Sequence, residues 1–185
     1  PGTIELRRAV LVRGRVLDRS GVPVSGATIQ VLRHPEFGQT RSQLDGRYIM
    51  VANGGEILTV DIQHPDYLPA QRQVEAQWND SAVVPDVTLV QLDPVVSFVD
   101  LESPEDFQIA QGSVQSDENG PRQATMLFRT GTEAEFLMAD GSRMPASTLS
   151  IRATEYTIGR NAVNAMPAEL PAGVGYTYAF EVTAD

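Results

Sequence analysis

Residues 12–31, VRGRVLDRSGVPVSGATIQV, decide how this chain folds. Val12, Gly14 and Val16 alternate with Arg13 and Arg15, the period of a half-buried strand. Residues 18–21 make a polar reversal, in which Gly21 can take positive φ without a Cβ clash. Pro23 fixes φ before the next strand, and Gly26-Ala27 lets two backbones approach closely. Thr28, Gln30 and Leu32 then alternate with Ala27, Ile29 and Val31. Further on, Asp45-Gly46 turns the chain into a strand at Arg47-Tyr48-Ile49-Met50. A strand over 57–62 follows, then His64-Pro65-Asp66-Tyr67.

These spaced elements resemble the carboxypeptidase regulatory-like family, small sandwiches of transthyretin-like type. Residues 14–31, Asp45-Gly46-Arg47-Tyr48 and Tyr67 fit its pattern, with Asp66 where the family has glycine. The resemblance covers residues 8–92 and implies a seven-stranded β-sandwich without catalytic residues of its own. The expected division is therefore 1–92, transthyretin-like, and 93–185, a second, acidic β-sandwich of fibronectin/Ig-like type.

The second half carries turn signals every ten to twenty residues, at 103–104, 117–121, 130–131, 139–142, 159–161 and 167–175. Strands are expected between them at 107–114, 123–128, 134–138, 147–158 and 175–182. Ser103-Pro104-Glu105-Asp106-Phe107 predicts one short helix, with Ser103 as N-cap and Pro104 in the first turn. Residues 123–134, 139–142, 152–159, 165–167 and 175–179 resemble the region before the repeat shell of bacterial RHS/YD-repeat, teneurin-like proteins. In that family a transthyretin-like module precedes a fibronectin-like plug. The resemblance implies a structural cap or plug in a secreted or cell-surface chain, with a role in adhesion.

Composition narrows the chemistry. The chain has 185 residues, 14 Arg and no Lys or Cys, against 24 acids. Without Cys there are no disulfides or thiolate sites, and without Lys there is no Schiff base or isopeptide cross-link. Residues 1–92 hold nine Arg and ten acids, net about −1; residues 93–185 hold five and fourteen, net about −9. Nucleic acid is a poor partner for such a chain, because phosphate binding needs a basic stripe. No apolar run reaches the length of a membrane span. A start at Pro1, without Met or an apolar leader, reads as a processed product or a fragment. Pro94 keeps the junction extended and short, so the halves are expected to touch.

Candidate sites are few. His34-Pro35-Glu36-Phe37 and His64-Pro65-Asp66-Tyr67 repeat one pattern, each expected just past a strand end and at the same end of the sandwich. Two histidines with Glu36 and Asp66 have the donor chemistry of a zinc or copper site. The alternative is loop punctuation, which the residues favour. Asp117-Glu118-Asn119-Gly120 offers oxygen ligands but lacks the spacing of a calcium loop, and a tight turn explains it better. Asp18, Asp45 and Asp140 each precede a turn and bond local backbone. No nucleophile is paired with a base, so neither catalysis nor a cofactor is expected. Trp78 and Tyr67 are the candidate contacts for a partner or ligand.

Three functions stay open: a non-catalytic module pair contacting other modules of its own polypeptide, a self-assembling filament or surface subunit, and a carbohydrate- or peptide-binding module. The second rests on an extended run over residues 4–16 that could pair with a neighbour's open edge. Expected core residues are Val12, Val16, Ile29, Val31, Tyr48, Met50, Leu58, Val60, Ile62 and Val87 in the first half. In the second they are Leu127, Ile151, Tyr176, Tyr178 and Phe180.

Overall fold

A computed structural model describes residues 4–158, 162–169, 173 and 178–184 of the chain. It is all β, as the alternation predicts, and divides into two compact units. One comprises residues 4–92 with 162–169 and 173; the other comprises 93–158 with 178–184. No helix among the described residues is long and apolar enough to cross a membrane.

The first unit contains β1 (Ala9–Asp18), β2 (Thr28–Val31), β3 (Gln39–Arg41), β4 (Arg47–Asn53), β5 (Glu56–His64), β6 (Tyr67–Ala76), β7 (Ser81–Val83) and β8 (Val87–Leu89). One sheet is ordered β4-β1-β7 with β8 also on β1; the other is ordered β3-β2-β5-β6. On one side β1 pairs antiparallel with β4, Gly14 opposite Tyr48 and Arg15 opposite Arg47. On the other side it pairs in parallel with β7 through residues 11–13, then with β8 through residues 16–18. Thus β1 is an interior strand.

The expected strand over residues 4–16 begins later, at Ala9. Before it, the Arg8 N–H donates to the Glu5 carbonyl at 2.8 Å and closes a turn. The Glu5 N–H donates to Asn53 Oδ1 at 2.9 Å, and the Arg8 guanidinium donates to the Gly54 carbonyl. These ties hold residues 5–8 to the end of β4, out of line with β1.

All ten core residues expected in the first half are buried. They form one cluster between the sheets with Val10, Val24, Ala27, Ala52, Val84 and Leu89. Each large apolar side chain there contributes roughly 1.5–3 kcal/mol by leaving water. Two glycines permit the close approaches. A Cβ at Gly14 would stand 2.5 Å from the Tyr48 hydroxyl, so the phenol ring crosses β1 only because that side chain is missing. Gly46 has φ +77°, and its Cβ would meet the Val16 carbonyl at 2.3 Å.

The second unit contains β9 (Ser97–Asp100), β10 (Phe107–Gln111), β11 (Gln115–Asp117), β12 (Gly120–Arg122), β13 (Thr125–Arg129), β14 (Ala134–Leu137), β15 (Arg143–Ala146), β16 (Thr148–Glu155) and β17 (Phe180–Ala184). Its sheets are small: β17-β16-β9, and the pairs β10-β13, β11-β12 and β14-β15. Val99, Ala110, Leu149 and Ile151 form its core, with Met126, Phe128 and Phe136 packed against it.

Of the core residues expected here, Ile151 is buried, whereas Leu127, Tyr178 and Phe180 are 63%, 56% and 46% exposed. The inward face of β13 belongs to Met126 and Phe128, so Leu127 points out and pairs with exposed Ile109. Phe180 sits on the edge strand β17, and Tyr178 lies under the Arg122 guanidinium at 4.7 Å. Tyr176 lies outside the described residues. The helix expected over 103–107 does not form: Phe107 opens β10 by pairing with Arg129, and the Thr130 N–H donates to the Asp106 carbonyl. Ser103 Oγ accepts from the Glu105 N–H at 3.3 Å, a local turn in place of a cap.

Gly14→Ala is expected to destabilise the first unit by roughly 1–3 kcal/mol, since the added methyl must displace a buried ring. Urea unfolding followed by tyrosine fluorescence measures it, and an unchanged midpoint would refute the packing described.

Candidate functional site

The two histidine motifs are built alike but lie apart. Thr28 pairs with Gln63 and Val31 with Val60, so β2 and β5 run in opposite directions. His34, past the end of β2, and His64, closing β5, therefore stand at opposite ends of that ladder, not at the same end. His34 Nδ1 lies 2.9 Å from Glu36 Oε1, and its ring stacks on Phe37 at 4.9 Å. That hydrogen bond holds the Glu36 carboxyl below the usual carboxylate range. His64 Nδ1 accepts from the Asp66 N–H at 3.2 Å, and its ring meets Tyr67 edge-on at 5.0 Å. Each motif is tied to its own acid and its own aromatic. Among the described residues, no group of three or more His, Asp or Glu is placed to hold a metal ion.

Tyr67 shares a cavity of about 490 Å³ with Thr28, Gln63, His64, Pro65 and Pro69. Partial burial pushes its phenol up from the ordinary value, with the charges of Asp18 and Asp66 adding to the shift. An aromatic flanked by two prolines and an amide is a surface on which a sugar ring or an extended peptide can stack. Trp78 is 57% exposed, and its Nε1–H donates to the Gly54 carbonyl at 3.0 Å. The Nε1 edge of the indole lies against Gly54-Gly55, and more than half of the side chain is left exposed.

Asp117 and Gly120 close a two-residue hairpin between β11 and β12. The Asp117 carboxylate accepts from the Asn119 N–H at 2.9 Å and takes Arg122 in two hydrogen bonds of 2.9 Å each. Arg122 Nε donates to Glu155 Oε1 at 2.6 Å, and the Thr157 hydroxyl donates to the same oxygen at 2.6 Å. One guanidinium thus joins a hairpin, the end of β16 and the Tyr178 ring. Asp18, Asp45 and Asp140 bond local backbone N–H groups, each within four residues.

Sequence reasoning missed two polar clusters of the first unit. Buried Arg72 on β6 donates to the carbonyls of Asn164 and Met166, at 2.6 and 3.0 Å. Burial pulls its guanidinium down from the ordinary value, while Glu169 and Tyr48 act the other way. The Gln71 N–H donates to the Pro167 carbonyl at 2.7 Å, so residues 164–167 are stitched to β6. Buried Asp61 accepts from the side-chain amides of Gln30, Gln63 and Gln71. The signals were faint: an Arg and an Asp in otherwise ordinary strand alternation.

Residues 4–89 match the family model described as the teneurin TTR-like domain. A chicken teneurin-1 (Gallus gallus) is 31% identical over 105 residues, 56% of this chain and 4% of its own length. A human teneurin-1 (Homo sapiens) is 33% identical over 87 residues, 47% of this chain and 3% of its own. A mouse teneurin-3 (Mus musculus) is 26% identical over 151 residues, 80% of this chain and 6% of its own. Residues 4–89 are thus similar to a teneurin-type, transthyretin-like domain, and the chain spans only a few per cent of these curated relatives.

Two stability outcomes follow from these contacts. Arg72→Met leaves the Asn164 and Met166 carbonyls without their donor, and amide exchange across residues 162–169 is expected to quicken by about tenfold. Hydrogen-exchange mass spectrometry reads this; unchanged exchange would show that the stitch does not depend on Arg72. Arg122 holds the Asp117 carboxyl below the usual range. The stability this gives is present above the ordinary aspartate value and lost as pH falls through the lowered one. Acid titration of the second unit by near-UV circular dichroism should show that loss below about pH 4 in the native chain and a smaller one in Arg122→Met.

Proposed function

We propose that the chain is a non-catalytic pair of β modules from a secreted or cell-surface, teneurin-like polypeptide of RHS/YD-repeat type. Residues 1–92 form the transthyretin-like module, to which residues 164–167 are stitched, and the rest of 93–185 forms a plug-like one that supports or closes a repeat shell. The observation that carries this reading is the match of residues 4–89 to the teneurin TTR-like domain, on a sandwich whose apolar interior is continuous. The polar side chains described above support it too: they are spent on turns, caps and staples, the work of a scaffold. Its partners are then the other modules of the same polypeptide.

A second reading, a carbohydrate- or peptide-binding module, is favoured by the Tyr67 cavity with its two prolines and by the open indole of Trp78. Self-assembly through an open first strand has lost its motive, since β1 has partners on both sides.

The coding sequence after Asp185 should contain tandem YD repeats, and a reading frame without them would overturn the scaffold assignment. A glycan array probed with the chain separates the two readings. Hits lost in Tyr67→Ala or Trp78→Ala would establish the binding module, and a blank array would leave the scaffold alone.

A further inference from the structure

A second opening in the first unit has a different chemistry. On one side of β1 the pairing passes from β7 to β8, and residues 84–86 cross the gap between them. A cavity of about 360 Å³ lies at this seam. Its floor includes Tyr48, only 1% exposed, whose hydroxyl has no hydrogen-bond partner among the described residues. That oxygen is sealed from solvent beneath β1, so Tyr48 closes the floor of the cavity and offers no donor into it.

Three arginines, Arg13, Arg15 and Arg47, line the same cavity. In a chain of net charge −10 that is an unusual gathering of positive charge. Arg15 and Arg47 are directly opposite in the β1–β4 register, and like charges so placed destabilise a sheet unless something neutralises them. Arg15 spends its Nε on the Asp45 carbonyl at 3.1 Å, and Arg47 Nε stands 3.5 Å from Asp45 Oδ2. Their terminal guanidinium nitrogens make no hydrogen bond among the described residues, and the Arg13 side chain makes none there either. Asp86 is the one carboxylate of the lining. With Asp45 paired to Arg47, two of the three charges are offset and one guanidinium is left in excess. Exposed Ile49 and Val83 complete the walls.

We propose that this seam binds an oxyanion borne on a partly apolar organic frame. The guanidinium forks grip the anion, and exposed Ile49 and Val83 cover the frame. Planar guanidinium pairs with carboxylate and with sulfate or sulfonate oxygens through parallel N–H···O bonds, which fixes the class of ligand but not its carrier. Gly14 is part of the device: without it the Tyr48 ring could not pass beneath β1 to the seam. The site stands independently of the scaffold role.

The test is an NMR titration of the full chain, following backbone amides and arginine Nε–H signals. The probes are 3-phenylpropionate, phenylmethanesulfonate and the neutral 3-phenylpropan-1-ol. Expected are saturable shifts at Gly14, Arg15, Arg47 and Ile49 with the anions, weakened several-fold by raising salt to about 0.2 M. Either anion alone or both together supports the site, and the pair tells a planar carboxylate from a tetrahedral head. Arg13→Gln combined with Arg15→Gln should weaken binding about tenfold. Tyr48→Phe, which removes only the sealed hydroxyl, should fold as the native chain does and bind with unchanged affinity. Equal binding of the alcohol, absence of saturable shifts, or undiminished affinity in the double variant would each overturn the proposal.

Discussion

The first sandwich depends on one contact, the Tyr48 ring lying across Gly14. Most core residues here fill their own half of the space between the sheets. Tyr48 instead reaches from β4 across β1, and it can do so only because its cross-strand partner has no side chain. The arrangement locks register as well as packing. A slip of one residue would bring Arg13 or Arg15 opposite the ring and turn every apolar side chain of β1 to the other face. It also carries a polar atom into the interior and leaves it unbonded among the described residues, as Ser81 Oγ on β7 is left.

The second unit solves the same problem differently. Its sheets have two or three strands, and its core cluster among the described residues is small: Val99, Ala110, Leu149 and Ile151. Side-chain hydrogen bonding makes up the specification. Asp93 is the clearest case: its carboxylate accepts from the Val95 N–H, the Ser113 N–H and the Ser113 hydroxyl, while its own N–H donates to the Thr154 hydroxyl. One buried acid thus sets the entry to the unit, the loop after β10 and the end of β16. Arg122 does the same for the hairpin that follows. Networks of this kind are high-stakes, since each member satisfied only in part would cost more than it gives.

How legible these units are in the sequence follows from what holds them. Apolar alternation and glycine corners are local signals, and they place the ten core residues of the first unit and the turns at Asp18, Asp45, Asp117 and Asp140. Where burial is set by distant partners, the local pattern misleads. The alternation of Tyr178 and Phe180 is that of a core strand, yet both are about half exposed: Phe180 opens a strand at a sheet edge, and a guanidinium covers the tyrosine ring. The two His-Pro motifs are recognisable as a repeat, but their separation is fixed by the antiparallel pairing of β2 with β5, which sequence spacing does not encode. Arg72 is harder still. Nothing about an arginine in an alternating strand announces that its partners are backbone carbonyls more than ninety residues away.

The absence of lysine ties these observations together. Every cation in this chain is a guanidinium, a flat fork with fixed donor directions and weaker hydration than an ammonium. Such a group can be buried against carbonyls, as Arg72 is, or bracketed by two carboxylates and an aromatic face, as Arg122 is, because each bond meets a donor already aimed at it. In both places the fold itself supplies several acceptors to the fork. At the β1 seam the same chemistry is displayed without saturation, with two forks opposed across a ladder and a third beside them. Folding alone gives no reason to gather them there, and like charge gives a reason to keep them apart. A ligand that supplies the missing oxygens resolves that conflict, in the way that Asp117 and Glu155 resolve it for Arg122.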